Sequence, residues 1–245
     1  MKETELINQC AEVAGYLWQK GWAERNGGNL VMRFDADVDN SIRNLPPLSL
    51  PLPCNVSVPF LKGRYLYCKG SGKRMRDLAK NPMDNGSIIR VLPDGEHYEI
   101  VACLPIQPTS EIASHLAIHN YLVSIGSPNK ATLHTHPTSL VAMSHIDNLL
   151  DGTKMTQLLW SMIPEARLFC EQGIGIVRYA EPGSTNLANA TLHTLRNHDI
   201  VLWEKHGTFT IGTNMIEAFD TTDVMEKAAD IYIKLRSIQP EDKQL

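Results

Sequence analysis

The sequence lacks any long apolar run: nowhere does it approach the roughly 18 consecutive apolar residues that a membrane-spanning helix needs. Its opening, MKETELINQCAEVAG, has neither the apolar stretch nor the small-residue cleavage pattern of an export signal. A cytoplasmic protein with no membrane partner is therefore expected. Clusters of basic residues are also missing. Lys and Arg number 23 against 27 Asp and Glu, leaving a formal charge of −4 with the two signs scattered along the chain. Such a chain offers no basic field to nucleic acid, although a single phosphate could still be held locally. The five cysteines (Cys10, Cys54, Cys68, Cys103, Cys170) are odd in number, widely spaced and without a C-x-x-C pair. They are expected to be reduced, buried thiols rather than bridges or zinc ligands. There is no internal repeat, heptad run or low-complexity tract.

Two familiar loops are imitated and then fail. DADVDN, from Asp35, begins like a calcium loop, but its sixth position is Asn40 and its twelfth Pro46, where glycine and a bidentate glutamate belong. GSGKR, from Gly70, falls short of a nucleotide-phosphate loop, with Tyr67 in place of the first glycine and Arg74 where Ser or Thr should follow the lysine. Calcium sensing and nucleotide hydrolysis are thereby set aside.

What is present is the composition of a soluble globular protein: 245 residues, 43% hydrophobic and 20% charged. Leu6, Cys10, Val13 and Leu17 at helical spacing, with Gly21 after them, predict a helix over 4–20. A Gly-Gly turn then leads to a strand at Leu30–Phe34. The segment 35–58 is loop-like, broken by Pro46, Pro47, Pro51 and Pro53. RYLYCKGSGKRMRDL predicts a strand, a glycine turn and a helix or basic turn. SIIRVLPDGEHYEIVAC predicts a hairpin about Pro93-Asp94-Gly95. PTSEIASHLAIHNYLV predicts a helix opened by Ser or Thr capping, and KATLHTH a short strand. After a helix-rich middle (137–163), ARLFCEQGIGIVRYA predicts two short strands about a glycine turn. GSTNLANATLHTLRNH predicts a capped helix, DIVLWEKHGTFTIG a strand pair hinged at His206-Gly207, and 215–236 a long helix. Hairpins mixed with alternating helices imply a mainly antiparallel or mixed sheet under helices, in one domain.

His134 and His136 stand one residue apart at the end of the KATLHTH strand. Residues i and i+2 of a strand share a face, so the two rings form a ready pair of metal ligands. A catalytic zinc site takes three protein ligands and keeps a position open. His206, which ends the apolar run DIVLW and precedes a glycine, is the candidate third, and Lys205 should point to the opposite face. Glu111 is placed in the first turn of its helix, where the dipole favours a carboxylate. It also begins a stripe Glu111, His115, His119 at i, i+4, i+8. That stripe could itself hold a metal, or be packed and supporting groups behind one. Three turns rich in glycine and hydroxyls, RNGGN (25–29), GSG (70–72) and PTS (108–110), offer backbone N–H groups and short donors suited to an anion.

Taken in order, KGWAERNGGNL, KGSGK, PTSEIASH, LHTHPTSLVAMSH and LWEKHGTF resemble the class II aldolases, a family that also includes sugar-phosphate epimerases and the adducin head domain. The resemblance runs from about residue 11 to 236. It implies an α/β fold, a single domain over 1–245 with a mainly antiparallel central sheet covered by helices, assembled as a ring-like homotetramer with active sites between subunits. It implies His134, His136 and His206 as ligands of one zinc ion per subunit, and Glu111 as the catalytic acid/base. Glu165 is implied to be a catalytic carboxylate that reaches the neighbouring subunit's site. Asn26, Gly28, Asn29, Ser71, Gly72, Thr109 and Ser110 fall in the implied phosphate-binding turns.

The reaction implied is retro-aldol cleavage of a phosphorylated deoxy-ketose to dihydroxyacetone phosphate and an aldehyde. A fuculose-type aldolase or a sugar-phosphate epimerase would use the same metal. An adducin-like module without activity would have lost its ligands, and all are present. A Schiff base on Lys73 or Lys205 is the metal-free alternative, and metal-assisted hydrolysis is not excluded by the histidine spacing. The proline-rich stretch 45–58 and the short C-terminal end depart from the family pattern. Those departures bear on sugar preference and on the interface.

Overall fold

The computed structural model describes residues 2–238, without the side chains of Lys2, Ala102 and Cys103. In chain order the elements are α1 (Lys2–Gln19), β1 (Asn29–Arg33), α2 (Asn40–Arg43), β2 (Leu52–Pro53), β3 (Tyr65–Lys69), α3 (Met75–Leu78), α4 (Pro82–Asn85), β4 (Gly86–Val91) and β5 (His97–Cys103). There follow α5 (Ile112–Ser124), β6 (Ala131–Thr135), α6 (Thr138–Met143), α7 (Gly152–Met162), α8 (Pro164–Phe169), β7 (Ile174–Val177), α9 (Thr185–Thr194), β8 (Ile200–Trp203), β9 (Gly207–Gly212) and α10 (Met215–Ile238).

Among the described residues, nine strands join one sheet in the order β2-β5-β4-β3-β1-β6-β9-β8-β7. Every neighbouring pair is antiparallel except β7 and β8. That exception follows from connectivity, since parallel neighbours need a crossover, and α9 supplies it. The expected α/β single domain with a mainly antiparallel sheet under helices is the fold observed.

β1 lies at the centre and is buried along its whole length, so its two faces pack against different layers. Leu30 and Met32 meet Cys10, Val13, Ala14 and Leu17 of α1 and Phe219 of α10. Val31 joins Leu66, Ile89 and Ile100 beneath Ile112 and Leu116 of α5. The sheet is thus sandwiched between an α1/α10 layer and an α5/α9 layer, with Ile118 and Leu122 of α5 beside Leu187 of α9. Side chains of directly opposed residues share a face. The β1–β6 register therefore places Asn29 with His134 and Val31 with Thr132 on the α5 side.

Several boundaries differ from expectation. Only one strand forms in ARLFCEQGIGIVRYA: Pro164 starts α8, which runs to Phe169, and the strand begins at Ile174. The apolar run Leu168-Phe169 resembles a buried strand in sequence, yet both side chains are 64% exposed, and only Ala166 turns into the core. α5 is not opened by Ser or Thr. Its N-cap is Glu111, one residue before the first helical turn, and Thr109 Oγ1 instead accepts from the Glu111 N–H at 3.3 Å. β8 ends at Trp203, so His206 belongs to the turn after it rather than to the strand. In the proline-rich segment Leu52-Pro53 adds a two-residue strand at the sheet edge, where a residue lacking an N–H is tolerated. Cys10, Cys54, Cys68 and Cys170 are free and buried; the side chain of Cys103 lies outside the described residues. Among the described residues, no helix is long and apolar enough to cross a membrane.

Candidate metal centre and substrate pocket

His134 is the last residue but one of β6, and His136 follows immediately after the strand. The segment is tied to the chain beyond α1: Thr135 Oγ1 and the His136 N–H both donate to the Trp22 carbonyl, at 2.6 and 2.9 Å. Downstream, His136-Pro137 leads into α6, whose first amides, Ser139 and Leu140, donate to the buried Glu226 carboxylate of α10, each at 2.8 Å. His206 arrives from the β8–β9 turn. That turn closes sharply because Lys205 takes a left-handed φ of +59° and Gly207 lets the strands approach. A Cβ on Gly207 would overlap the Thr135 carbonyl oxygen and lie 2.9 Å from His136 and 3.1 Å from His134.

The three imidazoles consequently converge. Ring centroids are 5.0 Å apart for His134–His136, 4.7 Å for His134–His206 and 5.5 Å for His136–His206. One nitrogen from each lies within 4.8 Å of the others.

Hydrogen bonding decides which nitrogens are bare. His134 Nδ1 is 2.8 Å from the Thr208 carbonyl oxygen, and His136 Nδ1 is 2.7 Å from Glu24 Oε1. A carbonyl or carboxylate oxygen only accepts, so in the neutral rings both Nδ1 atoms carry the hydrogen and both Nε2 atoms present lone pairs. These lone pairs face each other at 3.2 Å. Two acceptors at that separation repel unless a cation lies against both. Burial, with the like charges of His136 and His206, holds His134 well below the ordinary histidine range; burial chiefly lowers His206 to about 4. Neutral imidazoles with outward-facing donors are the state a metal ion requires. The donor set therefore fits a divalent ion of the kind imidazole binds well.

Glu111 completes one wall. Its Oε2 lies 3.8 Å from His134 Nε2 and accepts from Asn29 Nδ2 at 2.7 Å. The carboxyl is raised above its ordinary range by burial, opposed by the Asn29 hydrogen bond and by the charges of His136 and Lys69. The rest of the lining comes from the three turns. Ser71 N–H donates to the Gln107 carbonyl at 2.7 Å and Thr109 N–H to that of Lys69 at 2.9 Å, which stitches the 70–72 turn to the 108–110 turn. The 25–29 turn is brought alongside by the Asn29–His134 pairing, and there Gly28, at φ +67°, lies against the His134 carbonyl.

Asn26, Gly28, Asn29, Ser71, Gly72, Thr109, Ser110, Glu111, His134, His136 and His206 all line one pocket of about 190 Å³. Glu165 does not: it is exposed on α8. A larger depression of about 560 Å³ is lined by Trp160, Pro164, Arg167, Leu168 and Glu171 and shares no lining residue with the histidine pocket. Lys205 does not line the pocket; its Nζ lies 3.4 Å from the Glu204 carboxylate, and because it sits in the turn after β8 its placement comes from that turn rather than from strand alternation. Lys73 is not among the pocket-lining residues either.

Two groups at the site escaped the sequence reading. Lys69 lines the pocket at 2% exposure, donates from Nζ to the Asn26 carbonyl at 3.0 Å and is lowered to about 8 by burial, against the opposing pull of Glu111. The available signal was a cation ending an otherwise apolar strand just before Gly-Ser-Gly. Glu24 orients His136, and its only signal was its place ahead of the RNGGN turn. The stripe Glu111, His115, His119 does not form a metal site of its own. His115 and His119 are wholly buried and hydrogen-bonded to Thr132 of β6.

Comparison with known proteins agrees with this architecture. Residues 8–233 match the family described as the class II aldolase and adducin N-terminal domain. The chain is 51% identical over 232 residues to a rhamnulose-1-phosphate aldolase of Bacteroides thetaiotaomicron, covering 95% of this chain and 86% of that protein. A rhamnulose-1-phosphate aldolase of Listeria welshimeri is 34% identical over 95% of this chain and 84% of its own. Among solved structures, a sugar-phosphate aldolase from Thermotoga maritima superposes with a TM-score of 0.84 at 30% identity, covering 98% of both chains. The L-fuculose-1-phosphate aldolase of Thermus thermophilus, at 17% identity and a TM-score of 0.65 over 99% of this chain and all of that one, shares the fold. This chain belongs to the class II aldolase and adducin N-terminal domain family.

Proposed function

We propose that the chain is a metal-dependent lyase that cleaves L-rhamnulose 1-phosphate to dihydroxyacetone phosphate and L-lactaldehyde, with its 245 residues acting as one catalytic domain. The observation that carries this reading is a buried carboxylate, Glu111, 3.8 Å from His134 of a three-histidine cluster able to hold a metal, in a pocket lined by turns rich in glycine and hydroxyls. The substrate is taken from the relatives that are 51% and 34% identical.

Breaking a carbon–carbon bond beside a carbonyl leaves negative charge that must be stabilised. A divalent ion held by His134, His136 and His206, zinc by the preference of its ligands, would supply Lewis-acid polarisation of the ketose carbonyl. Glu111 is held to exchange a proton with the carbon that carries the charge, and its raised pKa lets the carboxyl retain a proton nearer neutrality than an exposed glutamate would. Asn26, Gly28, Ser71, Gly72, Thr109 and Ser110 would hold the phosphate, using contacts far from the reacting bond to orient it. Asn29, expected among them, has its side-chain amide committed to Glu111 and His115.

Glu165 is assigned the aldehyde-side proton from a second copy in a ring-like homotetramer. Its exposure outside this chain's pocket, beside the exposed apolar Leu168 and Phe169, supports a role across an interface. The cytoplasm is the compartment assigned to the enzyme, since a phosphorylated ketose does not diffuse through membranes and is retained where it is made.

The test is a coupled assay for dihydroxyacetone phosphate, offering rhamnulose 1-phosphate, fuculose 1-phosphate and ribulose phosphate to the parent, His134→Ala and Glu111→Ala. Cleavage of the first sugar by the parent alone supports the reading. Preference for another sugar overturns the substrate, and full activity in both variants overturns the site.

A further inference from the structure

Behind Glu111 lies a row of buried polar groups that phosphate or metal binding does not require. Glu111 Oε2 accepts from Asn29 Nδ2 at 2.7 Å. Asn29 Oδ1 meets His115 Nε2 in a short hydrogen bond. His115 Nδ1 is 2.6 Å from Thr132 Oγ1, and Thr132 Oγ1 is 3.1 Å from His119 Nε2. Asn29 is 6% exposed, and the other three are wholly buried. The row crosses β1, α5 and β6 and is assembled by the register that sets Val31 against Thr132.

The polarity of this row is determined from its end. A carboxylate only accepts, so the amide nitrogen of Asn29 faces Glu111 and its oxygen faces His115. That oxygen only accepts, so His115 Nε2 carries a hydrogen. Burial lowers His115 to about 3 and keeps the ring neutral, which leaves Nδ1 bare to accept from the Thr132 hydroxyl. The hydroxyl's other acceptor, the Val31 carbonyl, is farther away at 3.3 Å. Thr132 Oγ1 then has a lone pair for the N–H of His119 Nε2. Every donor in the row then points towards Glu111, and the Val31 carbonyl is a second acceptor beside the Thr132 hydroxyl and the His119 ring. The oxygen held at the end of the row is the same Oε2 that lies 3.8 Å from His134.

We propose that Asn29, His115 and Thr132 are positioning residues that fix the rotamer and the metal-facing oxygen of Glu111, acting through a one-way hydrogen-bond relay. The proposal rests on the reading of Glu111 as the acid/base. It assigns the Asn29 amide to Glu111 rather than to phosphate. A relay of this kind lowers the barrier by holding the carboxyl in its reacting orientation and adds nothing to the grip on the non-reacting end of the substrate. Its loss should therefore appear in kcat and spare KM.

The test uses Thr132→Val, which keeps the shape and removes only the hydroxyl, beside Thr132→Ser, which restores it. Expected for the valine variant is a fall in kcat of about tenfold with KM and bound metal close to the parent, and for the serine variant near-parental turnover. The second readout needs no substrate: nitrogen-15 NMR of histidine-labelled protein should show His115 in the Nε2–H tautomer in the parent, and a mixture of tautomers in Thr132→Val. Parental kcat in Thr132→Val, or the Nδ1–H tautomer in the parent, would overturn the relay. A parent that releases no dihydroxyacetone phosphate would overturn the aldolase reading instead, and the tautomer would still decide the relay.

Discussion

His134 and His136 turn their Nε2 lone pairs on each other across 3.2 Å, each ring locked by an acceptor on its far nitrogen. The arrangement is stable when a cation sits against both nitrogens, and His206 brings a third ring to the same point. The first prediction is one divalent ion per chain in the purified protein. Chelation should abolish cleavage and lower the melting temperature, and readdition of metal should restore both. Borohydride with substrate should leave activity intact. Inactivation by borohydride, or full activity in excess chelator, would point to a lysine Schiff base and away from a metal.

Glu24 reaches His136 from the solvent side, with its side chain 66% exposed. Glu24→Ala frees that ring to rotate and to change tautomer while removing little packing. Metal affinity should fall about 10- to 100-fold. Stability of the metal-free protein should change by less than about 0.5 kcal/mol. Competition against a chromogenic chelator measures the first and urea unfolding the second. Unchanged affinity would reduce the Glu24–His136 pair to a surface contact.

The meeting of the β8–β9 turn with β6 leaves no room at Gly207. An added methyl would strike the Thr135 carbonyl, which is backbone and cannot swing aside, and would press on the His134 and His136 rings. Gly207→Ala should cost about 1–3 kcal/mol or more through overpacking and should weaken metal binding as well. Thermal unfolding together with metal titration checks both effects. A parental melting temperature would mean that the turn can open without disturbing the centre.

Much of this site could be read in the sequence because it depends on local periodicity. A strand sends i and i+2 to one face, which pairs His134 with His136, and glycine-rich turns disclose themselves by composition. What could not be read depends on register. The pairing of Asn29 with His134 and of Val31 with Thr132 joins segments about a hundred residues apart, and only that pairing turns His115 into a neighbour of Asn29. Lys69 is hidden for the same reason, since a lysine at a strand end is ordinarily solvated, and here it is buried with its Nζ on the Asn26 carbonyl of a turn more than forty residues away in sequence. Leu168 and Phe169 misled in the other direction: their hydrophobicity suggests a buried strand, yet they sit exposed on a helix.

Lys69 places a buried cation among the proposed phosphate donors, within reach of the Asn26 carbonyl. Lys69→Met keeps most of the stem and removes the charge. A phosphate dianion would then lose one favourable partner in a partly desolvated pocket, so KM for the phosphorylated ketose should rise about tenfold or more, with a smaller change in kcat. Inorganic phosphate should likewise inhibit the variant less than the parent. Equal inhibition of the two would remove Lys69 from the phosphate subsite.

The buried histidines make a last prediction about acid. Burial lowers His115 to about 3 in the folded protein, against an ordinary 6.5 in the unfolded chain. Below pH 6.5 the unfolded chain takes up a proton that the folded protein refuses until about pH 3, so the unfolded state binds more protons throughout that window. Stability must therefore rise with pH across the window; the contribution is complete above 6.5 and is lost as pH falls towards 3. Between pH 7 and pH 5 His115 alone should cost the metal-free protein about 2 kcal/mol. His119 is shifted in the same direction by burial and by the charge of Arg33, so the total slope should be steeper than one group allows. Urea unfolding at the two pH values, with parent and His115→Gln compared, isolates the single group. The variant starts less stable at pH 7, because glutamine cannot reproduce both ring contacts, but it should lose about 2 kcal/mol less on acidification. An identical loss in both proteins would mean that His115 takes up its proton in the folded state as readily as in the unfolded chain, and the neutral ring on which the Asn29 contact depends would no longer be secured by burial.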